Sequence, residues 1–209
     1  MKNKRKIIGN TVIISGIVLL LCAGGLFAYN MNASNRQARV AADLVTRVRN
    51  EIAASSDVRE VEDKDEEPAI TEPSEQPAFA PVEIDGLSYD GYLTIPSVEL
   101  EMAVFDTWND ELLRMSLCRY YGSPETDDFV IAGHNYASGF GKLKDVSVGD
   151  EVYFTDMNGN AIKYRVELIE ITGGTDISHM IESDWDLSLY TCTYGGKDRL
   201  TVRCNREDG

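Results

Sequence analysis

Along the chain, apolar and polar positions change their rhythm several times. After the opening MKNKRK, residues 7–29 (IIGNTVIISGIVLLLCAGGLFAY) run without a charge. That is slightly more than the roughly 20 residues a helix needs to cross a bilayer. From residue 30 to about 60 the rhythm becomes helical, with Val40, Leu44, Val45 and Val48 spaced by three or four and charges between them, which predicts a stalk helix. Residues 61–84 mix acidic side chains with Pro68, Pro73, Pro77 and Pro81. That stretch is too poor in apolar groups to build a core and predicts an extended, disordered spacer.

From residue 85 to 209 the pattern is that of short strands. GYLTIPSVELEMAVF alternates through Val98, Leu100, Met102 and Val104, predicting a half-buried strand. NDELLRMSLCRYY predicts a short helix capped by Asn109, and DFVIAGHNY a buried strand ending near His134. In EVYFTDMNGNAIKYRVELIEI, Asn158-Gly159 separates two alternating runs, which predicts a hairpin with a two-residue turn. LSLYTC and RLTVRC predict a final strand pair joined by TYGGKD. Many short strands with one or two short helices point to an all-β fold, a closed barrel or sandwich.

Charge changes the picture mainly by exclusion. With 20 Lys and Arg against 35 Asp and Glu, a formal net charge of −15, the chain is not expected to bind nucleic acid, which needs clustered cations. Lys2, Lys4, Arg5 and Lys6 precede the apolar run. The positive-inside tendency then keeps residues 1–6 in the cytoplasm, residues 7–29 span the membrane once, and the rest is exported. A cleaved signal peptide would have a shorter core, of about 7–15 residues, and a lipoprotein signal at Cys22 would want a small residue where Leu21 stands.

The four cysteines, Cys22, Cys118, Cys192 and Cys204, form no CxxC pair, so no metal is expected. The scattered Asp and Glu read as solvated surface, and no calcium site is assigned. Three thiols fall in the exported part, which leaves at least one unpaired. Alternation in RLTVRC puts Arg199, Thr201 and Arg203 on one face, with Leu200, Val202 and Cys204 on the other. Cys204 is therefore a core residue. It also lies five strand residues past Arg199, roughly 16 Å at about 3.3 Å each, too far for a bridge to Cys192.

The short connection between the last two strands makes Cys192 and Arg199 neighbours at one rim. A cation beside a thiol favours its nucleophilic form, and histidine suits proton exchange near neutrality. Of the two histidines, His179 falls in GGTDISHMIESD and reads as a surface or helix-end residue; His134, at the end of an apolar strand, is open to a structural or a catalytic role.

The segments VIAGHNY and LYTCTYGGKDRLTVRC resemble the two signature regions of the sortase family, and GYLTIPSVEL is similar to the family's first-strand motif. The resemblance spans roughly Tyr89 to Arg206. Ser188 stands where the family's Thr-Leu-x-Thr-Cys motif has its first Thr, and Asn135 resembles class B members, so the subclass stays open. The resemblance implies a sortase-type β-barrel, with Cys192 as nucleophile, His134 as general acid and base, Arg199 as donor to the substrate or oxyanion, and Thr191 as a substrate contact. No cofactor is implied. The implied reaction cleaves a sorting motif in a surface protein or pilin through an acyl-thioester, then transfers it to an amine of a cell-wall precursor or a pilin lysine, on the outer face of Gram-positive-type cells.

Other Cys-His enzymes fit less well. Papain-like and cell-wall peptidases place cysteine before histidine, and the D-amino-acid transpeptidases carry a compact Ser-His-Gly-Cys motif absent here. The alternative of a different kind is a non-enzymatic, membrane-tethered β-domain that binds a surface protein or glycan.

Overall fold

The computed structural model describes the backbone of residues 2–62 and 79–207 and the side chains of residues 13–56 and 79–207. Two compact units are present, Met1–Arg36 and Gln37–Gly209. The first is helical, the leading part of α1 (Lys2–Glu62). Its described apolar side chains from Ile13 to Leu21 are all more than half exposed. Among the described residues one helix, Ile13–Ser56, is long and apolar enough to cross a membrane. Residues 63–78, most of the expected spacer, lie outside the described residues.

Among its described residues the second unit has nine strands: β1 (Val82–Ile84), β2 (Leu87–Ile95), β3 (Leu100–Phe105), β4 (Leu117–Tyr121), β5 (Phe129–Ala132), β6 (Glu151–Asp156), β7 (Ala161–Gly173), β8 (Leu187–Cys192) and β9 (Asp198–Arg206). They are ordered β1-β2-β3-β4-β5-β8-β9-β7-β6, and β2 also pairs with β6. That extra pairing, Gly91 opposite Asp156 through Thr94 opposite Tyr153, closes eight strands into a barrel and leaves β1 as an added edge. Closure removes the exposed strand edges that an open sheet would present. Inward-facing Leu93, Ile95, Leu100, Met102, Phe129, Ile131, Phe154, Leu189, Val202 and Cys204 fill the interior.

Two expected elements take a different form. The run from Tyr92 to Phe105 is two antiparallel strands, β2 and β3, hinged by a 3-10 turn at Pro96–Val98. The Asn158-Gly159 connection is not a two-residue turn but the four residues between β6 and β7. Asp156 holds it open, its carboxylate accepting from the backbone N–H groups of Asn158 (2.9 Å) and Asn160 (2.8 Å).

Strand β3 is buried on both faces, not one, and the cause is α1. Leu44 and Val48 pack with Tyr89, Ala103, Phe105 and Cys118 in a second apolar cluster outside the barrel. The helical rhythm of residues 40–48 thus matches a barrel surface. Arg49 pairs with Glu101 at 3.0 Å, and Gln37 Oε1 accepts from Ser138 Oγ at 2.9 Å. Val82–Ile84, inside the segment expected as spacer, already pairs with β2.

Candidate active site

One rim of the barrel gathers the residues with chemistry. Cys192 and Arg199 are direct partners across the antiparallel pair β8–β9, and opposed residues project to the same face. Strand β5 runs parallel to β8 with Ala132 beside Tyr190. Two further hydrogen bonds carry that register past the end of β5. Gly133 N–H donates to Tyr190 O at 3.1 Å, and Thr191 Oγ donates to Gly133 O at 2.7 Å. Continued one step more, the register sets His134 level with Cys192.

Thr191 is 3% exposed, so its hydroxyl is committed to tying the histidine loop to the cysteine strand. Gly133 must be small, because a Cβ there would lie 2.7 Å from side-chain carbons of both Leu117 and Phe140. The Arg199 guanidinium is steadied by the β8–β9 loop, donating to Gly196 O (3.2 Å) and Asp198 O (3.3 Å).

Electrostatics separate the titratable groups. His134 is half-buried, and its pKa falls below histidine's ordinary value chiefly because its ring is withdrawn from water; Arg114 pushes it further down and Asp110 partly up. A neutral imidazole able to accept a proton is the form this favours. All four cysteines are free. Burial pushes the Cys118 thiol up to about 12 and raises Cys204 as well, so both are inert at neutral pH. Cys192, partly exposed, is the thiol of the barrel unit that solvent reaches.

A cleft of about 420 Å³ opens over this rim, lined by His134, Thr191, Cys192 and Arg199 together with wall residues from three further elements. One wall comes from α2 (Asp110–Met115) and the residue before its cap. Asn109 starts that helix by accepting from the N–H groups of Glu111 and Leu112, both at 2.9 Å. The floor is aromatic: Trp108 packs against Tyr120 at 5.6 Å with its ring tilted, and Tyr120 meets Tyr190 edge-on at 5.4 Å. The opposite wall is the β7–β8 connection, with Asp176, Ile177 and Met180 around α3 (Ile177–Ile181).

The expected residues His134, Thr191, Cys192 and Arg199 therefore meet in one cleft, and His179 is not part of its lining. The aromatic floor and the α3 wall were missed. Their side chains come from segments far apart in sequence, and no local spacing marks them as neighbours. Arg203 was placed on the Arg199 face, and it is there, but completely buried. It donates to Glu170 Oε1 (2.9 Å), Ser188 Oγ (2.8 Å) and His179 O (2.8 Å), fastening α3 to the barrel.

Comparison with known proteins gives the family. The sortase domain model matches residues 93–207, more than half of the chain, and the chain belongs to the sortase family. Sortase A from Corynebacterium diphtheriae is 25% identical with a TM-score of 0.52, the match covering 59% of this chain and 62% of that one. Sortase C1 from Streptococcus agalactiae is 27% identical with a TM-score of 0.53, covering 61% and 72%. The chain thus spans less than two thirds of the corynebacterial protein's length. Among curated proteins nothing matches.

Proposed function

We propose that this protein is a membrane-anchored cysteine transpeptidase that cleaves a sorting motif in surface proteins and passes the released acyl group to an amine. The observation that carries this reading is the shared rim: Cys192 opposite Arg199 in the β8–β9 register, with His134 led alongside by Gly133 and Thr191.

In the first half-reaction Cys192 Sγ attacks the carbonyl carbon of the motif's threonine, and the carbonyl oxygen takes up negative charge. Arg199 donates to that oxyanion; loss of one such donor commonly costs on the order of 100-fold or more in rate. His134, having taken the Cys192 thiol proton as Sγ attacks, delivers it to the departing amine as the C–N bond breaks, leaving an acyl-thioester on Cys192. In the second half an acceptor amine attacks the thioester, His134 takes its proton, and Sγ leaves. Thr191 serves by position, holding the histidine loop in register. The donor is a surface-protein or pilin sorting signal, and the acceptor an amine of a cell-wall precursor or a pilin lysine. Residues 7–29 anchor the chain with its N-terminus in the cytoplasm and the barrel outside.

The test is cleavage of a library of sorting-motif peptides by the full chain in detergent micelles, followed by chromatography. The unaltered chain should cleave one motif class, while Cys192→Ala and His134→Ala should be silent and Arg199→Ala severely impaired. Cleavage that survives Cys192→Ala would sink the proposal. A Cys192 that neither reacts nor cleaves would favour a binding module instead.

A further inference from the structure

A second cavity, about 290 Å³, opens on the far side of Cys192. It shares Thr191 and Cys192 with the first cleft but contains neither His134 nor Arg199, and its walls are Asn135, Phe140, Ile171, Tyr194 and Leu200 with Lys144. Cys192 is thus approached from two sides. Building on the transpeptidase reading above, we infer that this second cavity receives the acceptor, and that it selects a primary amine carrying a carboxylate close by.

The charge distribution carries the choice of acceptor. The chain has a formal charge of −15, yet no carboxylate lines this cavity, whereas Asp110 and Asp176 line the first. The only ionised group on its walls is Lys144. Its neighbour in the 3-10 turn Phe140–Asp145, Lys142, is consumed by the fold: its ammonium donates to Val98 O (2.9 Å) and Glu99 O (2.8 Å). Lys144 makes no ion pair or hydrogen bond among the described residues. An exposed, unspent cation in a site walled by Ile171, Tyr194 and Leu200 suits a molecule with an apolar body and an anionic end. It disfavours an acceptor set among further cations, such as a lysine in a basic segment.

The chemistry balances without a co-reactant. The amine nitrogen bonds to the thioester carbonyl carbon, the carbon–Sγ bond breaks with its electron pair going to sulfur, and the amine proton passes through His134 to Sγ. The products are a new amide and the free Cys192 thiol. Lys144 takes no part in these steps; it orients the acceptor through its carboxylate.

The experiment uses the full chain in detergent with a motif peptide that acylates Cys192. Acceptors are three C-terminally amidated dipeptides whose only primary amine is the N-terminal one: glycyl-glutamate, glycyl-glutamine and glycyl-lysine, the last with its Nζ dimethylated. The readout is the ratio of transfer product to hydrolysis product. For an exposed pair, glycyl-glutamate should be preferred over glycyl-lysine by about three- to fivefold. Lys144→Ala should level the series, and Lys144→Glu should reverse it. An order unchanged in Lys144→Glu, with acylation intact, overturns this inference and leaves the transpeptidase reading standing. Absence of any Cys192 adduct in the unaltered chain fells both.

Discussion

Arg203 offers the sharpest connection between the buried structure and the cleft. Its side chain is completely buried and touches β7 through Glu170, β8 through Ser188 and α3 through His179 O. Replacing it with Met keeps the apolar bulk but removes the charge and all three hydrogen bonds. Removing one member of a buried ion pair costs roughly 3–5 kcal/mol because the other charge stays uncompensated. Glu170 is 24% exposed and also contacts His179 Nε2 at 3.1 Å, so water and the imidazole recover part of that loss, and about 3 kcal/mol is expected. For a unit of this size that lowers the thermal midpoint by roughly 6–12 °C. The functional effect should be local. α3 and its capping residue supply Asp176, Ile177 and Met180 to the motif cleft, while Cys192, Arg199 and the Gly133–Thr191 tie sit on other elements. KM for the motif peptide should therefore rise about tenfold or more, with kcat within about threefold. Steady-state cleavage below the unfolding transition measures both, and hydrogen exchange over residues 174–186 reports the loosened loop. Arg203→Lys should fall between, since an ammonium lacks the planar fork that reaches three acceptors. A lowered midpoint with unchanged KM and unchanged loop exchange would refute the reasoning.

Three further outcomes follow from the same geometry. Gly133→Ala pushes a methyl against Leu117 and Phe140; about 1–3 kcal/mol of destabilisation is expected, with kcat falling at least tenfold as His134 shifts, and a variant with full kcat would contradict the register argument. Asp90 is fully buried, accepts no hydrogen bond, and meets only Arg119 Nε at 3.0 Å; burial raises its pKa to about 7 from 3.8. Its contribution to stability is then fully present below about pH 3.8 and is lost as pH rises through 7, on the order of 4 kcal/mol in all. Asp90→Asn should gain stability over the unaltered chain progressively between about pH 4 and 7 and level off above that in urea titrations, and a pH-independent difference would exclude this. Arg114→Gln should raise the His134 pKa and Asp110→Asn should lower it, as followed by ring-proton NMR, with the acidic limb of kcat/KM moving in the same direction; a shift of opposite sign in either would remove those two charges as causes.

The parts of the site that were legible in the sequence share a local origin. A short link between two alternating runs is enough to set Cys192 against Arg199, and the sortase signatures supplied His134. Cys204 could be assigned to the core from strand alternation alone, and it is fully buried. Barrel closure was legible only as a class, because the β2–β6 pairing joins residues about sixty apart and depends on Gly91 having no side chain: a Cβ there would lie 1.9 Å from Thr155 O. The Val40-to-Val48 rhythm was correctly helical yet silent about its partner, since a stalk and a helix packed on a barrel need the same apolar stripe. Arg203 illustrates the hardest case. Its alternation is that of an outward-facing cation, and only the arrival of α3 with Glu170 turns that face into an interior.

The central claim is that Cys192 forms a covalent acyl intermediate assisted by His134 and Arg199. Intact-mass spectrometry of the full chain mixed with a cleavable motif peptide and no acceptor amine addresses it directly. A mass increase equal to the acyl fragment, mapped to Cys192, released by hydroxylamine and missing in both Cys192→Ala and His134→Ala, is the predicted result. Turnover with no adduct at Cys192, or an adduct that forms equally well without His134, would contradict it.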